Sequence, residues 1–191
     1  MTTQPYISTC DRLVVYACSF GYNGAVKPNI PWKTEGGWPD LVSRHYGIPL
    51  VNCSVPGTGP DWQFDCVLGD WREGKYNRQT PQSTEIGARD CVIIQWSHYD
   101  RIAGENPQLH WMKAANKLEP IDGIDVHKAY YGYVYSQYWR HAQILAYATT
   151  IQHNLPNRVL HAFIEGTNDL AQGEWSDLLR NIDTVGPTNS I

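Results

Sequence analysis

Residues 91–96 read CVIIQW, a continuous run that is apolar but for Gln95 and ends in Ser97-His98-Tyr99-Asp100-Arg101. A strand with one face in water alternates apolar and polar residues, and this run does not. It reads as a strand buried on both faces, the habit of a parallel sheet covered by helices. Three similar runs lie at 13–18 (LVVYAC), 49–55 (PLVNCSV) and 158–164 (RVLHAFI). Helical patterns fall between them. Residues 38–46 form the first, with Pro39 suited to an opening turn and Gly47 just past the end. Residues 130–155 form the longest: Tyr131, Val134, Tyr138, Ala142, Leu145, Ala148 and Ile151 recur at three- and four-residue steps until Pro156 stops them. A third amphipathic segment spans 170–182. Residues 71–85 and 104–128 are polar, punctuated by Pro and Gly, and read as long loops or short helices. Strands alternating with helices describe βαβ units, so the expected fold is an open three-layer α/β/α sandwich with a mainly parallel sheet.

Composition bounds what such a domain does. At 191 residues the chain suits one domain, 1–191, large enough to fold without disulfides or a structural metal. Lys and Arg number 15 against 19 Asp and Glu, a formal net charge of −4, which speaks against nucleic acid as a partner because phosphates need a basic stripe. No apolar stretch approaches a membrane span, and residues 1–11 lack the basic-then-apolar pattern of a secretory signal. The five cysteines, Cys10, Cys18, Cys53, Cys66 and Cys91, contain no CxxC pair. They read as buried, reduced thiols of a protein made in a cytoplasm, with no metal and no cofactor expected. Eight Trp and twelve Tyr stand against three Phe. Tyr and Trp join an apolar body to a polar tip, so this bias favours contact with another chain or a sugar ring. Trp62, Trp71, Trp111 and the tyrosines of 130–138 are the candidates for contact with a neighbouring chain.

Ligands of open parallel sheets sit beyond the carboxyl ends of the strands. Those ends here are Ala17-Cys18-Ser19-Phe20-Gly21, Asn52-Cys53-Ser54-Val55-Pro56-Gly57-Thr58-Gly59, and Gln95 to Arg101. In order and spacing they resemble the SGNH (GDSL-like) hydrolase superfamily, together with the intervening GGWPDLVSRHYGIPLVN. The resemblance extends to residue 164 and is nearest to SGNH-like proteins of bacteriophages, where a strand of the form VIIQWS followed by an Arg occurs. It implies a flavodoxin-like fold, Ser19 in the place of the nucleophile and Gly57 as a backbone oxyanion donor. Ser97 and His98 then stand where the family's third block supplies an oxyanion-binding Asn.

The departures bear on function. Ala17-Cys18 replaces the Gly-Asp before the serine, no Asn occurs in the third block, and no Asp-x-x-His follows residue 164. A serine hydroxyl needs a neighbouring base to become an effective nucleophile. Only a displaced histidine, His98 or His127 beside Asp125, would restore one. The resemblance therefore implies a vestigial site in a structural or binding module, such as a capsid-decorating or tail-associated component of a phage virion. Its partners would be the other protein chains of that assembly. An active esterase that deacetylates glycans through Ser19 is a second reading. A glycan-binding module is a third, with Trp96, Tyr99 and Arg101 lining the site; Arg101 equally fits as a cap for a carbonyl or a partner of Asp100.

Overall fold

The computed structural model describes residues 6–19, 21, 37–55, 58–72, 85–99, 136–155 and 157–164. The four apolar runs become β1 (Leu13–Tyr16), β2 (Leu50–Asn52), β3 (Cys91–Trp96) and β4 (Arg158–Phe163), all parallel, in the order β2-β1-β3-β4. Leu13 pairs with both Leu50 and Cys91, and Cys91 also pairs with Arg158, so all four strands start level with one another across the sheet. The backbone pairing of β2 with β1 continues past its formal end, with Cys53 N–H donating to Val15 O at 2.8 Å and Val55 N–H to Ala17 O at 3.0 Å.

Side chains alternate across a strand, and the core accordingly divides in two. Val14, Tyr16, Val92, Ile94 and Trp96 face one way and meet Cys66 and Val67 of helix α2 (Pro60–Arg72) and Ile144, Leu145, Ala148 and Ile151 of helix α3 (Gln137–Asn154). Leu13, Val15, Cys91 and Ile93 face the other way, against Trp38, Val42 and Tyr46 of helix α1 (Trp38–Tyr46) and the short 3-10 turn Tyr6–Thr9. β1 and nearly all of β3 are buried on both faces, as unbroken apolar runs demand. β4 alternates instead, with Val159, His161 and Phe163 inside and Arg158, Leu160 and Ala162 half-buried. It lies at the end of the described sheet, where the second face is only partly covered.

The helix signals are physical ones. Pro39 lies in the first turn of α1 with Asp40, and Arg44 and His45 lie in the last, complementing the helix dipole. Gly47 closes it at φ +65°, a left-handed conformation that a Cβ disfavours, and its N–H donates to Ser43 O. α3 begins at Gln137, capped by the Ser136 hydroxyl, so its start differs from the expected 130–155; residues 130–135 lie outside the described part. The buried stripe runs through Ile144, Leu145, Ala148 and Ile151, and Tyr138 is 47% exposed because the first turn projects past the packed face. Leu155, held extended before Pro156, ends the helix. α2 has no counterpart among the sequence expectations. The expected 170–182 helix and the 104–128 segment lie outside the described residues.

Candidate functional site

β1 has β2 on one side and β3 on the other, so the chain's direction of winding reverses beside β1. In open parallel sheets ligands bind at such a point, beyond the carboxyl ends of the strands. Along β3, Trp96 O accepts from Ile164 N–H at 3.4 Å and so faces β4. Backbone groups alternate sides along a strand, so Gln95 O and Ser97 N–H face β1. β1 ends at Tyr16, which pairs with Ile94, and therefore offers these two groups nothing. The side-chain amide of Gln63 on α2 satisfies both: Nε2 donates to Gln95 O at 2.8 Å, and Oε1 accepts from Ser97 N–H at 3.0 Å. Gln63 is wholly buried. Its amide takes the place of the missing strand at the carboxyl ends of β1 and β3.

Neighbouring amides extend this frame. Trp38 Nε1 donates to Gln95 Oε1 at 3.2 Å. Asn52 Nδ2 donates to Gly21 O at 2.7 Å, and its Oδ1 accepts from Ser54 N–H at 3.0 Å. Gly21 is required where it stands, since a Cβ there would lie 2.5 Å from Ala17 Cβ and 2.9 Å from Ser54 Oγ. The Thr58 hydroxyl donates to Val55 O at 2.9 Å and ties down the chain after β2. Beyond β3, Arg140 of α3 donates through Nε to Tyr99 O at 2.8 Å and binds both carboxylate oxygens of Asp61 at 2.8 Å. Tyr147 OH donates to Asp61 Oδ1 at 3.0 Å. Burial, with the nearby Asp61 charge second, pushes the Tyr147 phenol up to about 12.

The expected site residues fall into three groups. Ser19 is exposed at the turn after β1, and its hydroxyl makes no hydrogen bond to a histidine among the described residues. Ser97 and Tyr99 are buried by the frame just described, and His98 is half-buried. Gly57, Asp100, Arg101, Asp125 and His127 lie outside the described residues. Trp96 differs from its expected role as a sugar-stacking face. It is fully buried, because it continues the inward row of Val92 and Ile94, and Nε1 donates to His161 Nδ1 at 3.1 Å. The two rings stack at 6.0 Å and 9°. Burial lowers the His161 pKa to about 3, which keeps this imidazole neutral and inside the core.

Sequence reasoning did not single out Gln63, Asn52, Asp61 or Arg140. Pro60 with Asp61 one residue later is a helix-start signal that would have found α2. A lone Arg beside the apolar stripe of α3 was the available sign of a buried ion pair. Among the described residues no group of three His, Cys, Asp or Glu side chains is placed to hold a metal. No described helix is long and apolar enough to cross a membrane. Compared with protein-family models and with curated proteins, the chain matches none.

Proposed function

We propose that this chain is a non-enzymatic SGNH-like domain, an open α/β/α sandwich that serves as a structural or binding module within an assembly. The carrying observation is the Gln63 side-chain amide, which engages Gln95 O and Ser97 N–H at the carboxyl end of β3, so that the Ser97 donor is already used inside the fold and is not offered to an oxyanion. His161 supports the same reading, since it is bonded to Trp96 inside the core and is closed to a substrate. A partner surface is supported by Tyr138 and Trp139, which are 47% and 70% exposed and pack edge to face at 5.5 Å on the first turn of α3. Rings of this kind anchor interfaces between protein chains, and the bacteriophage resemblance makes a capsid or tail protein the partner proposed.

A second reading keeps Ser19 as the nucleophile of a glycan-deacetylating esterase, and the exposure of Ser19 at the end of β1 favours it. Turnover of a chromogenic acetyl ester separates the two. The non-enzymatic reading expects a background rate that Ser19→Ala leaves unchanged, and a rate that Ser19→Ala abolishes overturns it. Sedimentation tests the assembly half: Trp139→Ser is expected to weaken association with itself or with co-expressed virion proteins, and unchanged association refutes that surface.

A further inference from the structure

At the opposite end of the sheet, two thiols that the strand-end frame does not use come together. Cys10 follows the 3-10 turn, with its N–H donating to Ile7 O at 3.1 Å, and Cys91 opens β3. The backbone pairs of Asp11 N–H with Arg89 O at 3.0 Å and Cys91 N–H with Arg12 O at 2.9 Å bring the two segments side by side. Both thiols sit in the same apolar cluster, and the Cys10 thiol is near enough to Cys91 to act on its ionisation. Their exposures differ: Cys91 is 0% exposed, whereas Cys10 is 9% exposed and borders a cavity of about 180 Å³ with Thr9, Ala88, Arg89, Asp90 and Arg158. The Asp90 carboxylate is held by Arg12 at 2.8 Å on both oxygens, so it is already neutralised.

We propose that Cys10 and Cys91 form a redox-responsive dithiol that a low-molecular-weight disulfide converts into an intramolecular disulfide, with Cys10 attacking first from the cavity. The Cys10 thiolate attacks one sulfur of oxidised glutathione, giving a mixed disulfide and releasing one glutathione thiol. Cys91 then attacks the Cys10 sulfur, its proton passes to the departing second glutathione, and the Cys10–Cys91 bond closes. Two protein thiols are oxidised and one glutathione disulfide is reduced to two thiols. The order follows from access and acidity: burial, reinforced by the Cys10 thiol, pushes Cys91 up to about 12, so it does not start the reaction. The Arg158 charge acts in the opposite sense on Cys91 and favours its thiolate in the closing step. Arg89, which pairs with Asp11 at 2.8 Å, and Arg158, which donates to Thr9 Oγ1, give the cavity wall a positive character that suits the carboxylates of the tripeptide.

The test is mass spectrometry of the folded protein held with excess oxidised glutathione, followed by non-reducing peptide mapping. The wild type is expected to lose the mass of two hydrogens, to yield a Cys10–Cys91 cross-linked peptide and to unfold at higher urea. Cys91→Ser is expected to stop at one glutathione adduct on Cys10, and Cys10→Ser to leave Cys91 unmodified. Persistence of the reduced wild type, a stable adduct on wild-type Cys10, or a cross-link through Cys18, Cys53 or Cys66 overturns the proposal. The wild-type mapping decides the matter even where a serine variant folds poorly.

Discussion

Lowering the pH from 7 to 5 will destabilise the protein through one buried side chain. The His161 imidazole is 0% exposed, and its Nδ1 already accepts the Trp96 N–H at 3.1 Å, so the neutral ring carries its proton on Nε2. A second proton on Nδ1 would set a donor against the indole donor in the buried core. The folded value of about 3 lies below the ordinary 6.5, so the unfolded chain binds the proton first. A lowered folded value means stability that is complete above 6.5 and declines as pH falls toward 3. Each pH unit inside that window removes about 1.4 kcal/mol, which between pH 7 and 5 amounts to about 2 kcal/mol. That is a large part of a total near 5–15 kcal/mol for a typical domain. The assay is urea unfolding at pH 7, 6 and 5 for the wild type and for His161→Gln, which keeps an acceptor for the indole but does not titrate. The wild type is expected to lose about 2 kcal/mol more than the variant across that range. Parallel losses in the two proteins would refute the reasoning.

Three further outcomes follow from the same geometry. Gln63→Leu leaves Ser97 N–H and Gln95 O without partners in the interior and should cost about 3 kcal/mol in urea unfolding, with a loss below about 1 kcal/mol contradicting the frame. Arg140→Met strands the Asp61 carboxylate and Tyr99 O at a cost of about 3 kcal/mol, and adding Asp61→Leu should recover much of it, whereas additive losses would deny the coupling. Burial, and then the Asp61 charge, raise the Asp65 pKa, so its ionised form is disfavoured in the fold at neutral pH. Asp65→Asn should therefore stabilise the protein at pH 7, by only a few tenths of a kcal/mol because this side chain is exposed, and the gain should vanish below pH 3.8, its ordinary value.

The sheet was legible because burial on two faces leaves no room for polar alternation, and Leu13–Tyr16 and Cys91–Trp96 obey that constraint. α1 was legible from Pro39 and Gly47, whose backbone restrictions act locally. α2 was not, because its buried positions include Gln63, Cys66 and Gly69, which do not make an apolar stripe. Trp96 was misjudged as a surface ring for a related reason. Composition assigns Trp to boundaries, but on a strand the alternation from Val92 through Ile94 outweighs residue type and turns the indole inward. That a glutamine side chain pairs with Gln95 O and Ser97 N–H at the carboxyl end of β3 follows only from where β1 stops relative to β3, and spacing along the chain does not encode that.

The two ends of the sheet differ in a way that bears on ligand access. At the carboxyl ends, neutral amides and one buried ion pair close off the backbone groups that β1 leaves exposed, and Gly21 packs too tightly for a Cβ. Buried polar groups of this kind add little net stability but fix one arrangement of the chain, because every alternative leaves a donor or acceptor unpaired. The described backbone there, Asn52–Val55 and Ser97–Tyr99, is consequently held in one arrangement. At the amino ends, Arg12 and Asp90 pair at 2.8 Å beside an open cavity, and the Cys10 thiol borders that space. The chemistry proposed for Cys10 and Cys91 thus has its opening at the end opposite to the one used by ligands of open parallel sheets. Filling the cavity, for example by Ala88→Phe, should slow the reaction of Cys10 with oxidised glutathione while leaving the Gln63 frame intact. An unchanged rate in a variant of unchanged stability would mean that the thiol is reached by local opening of the chain and not through the cavity.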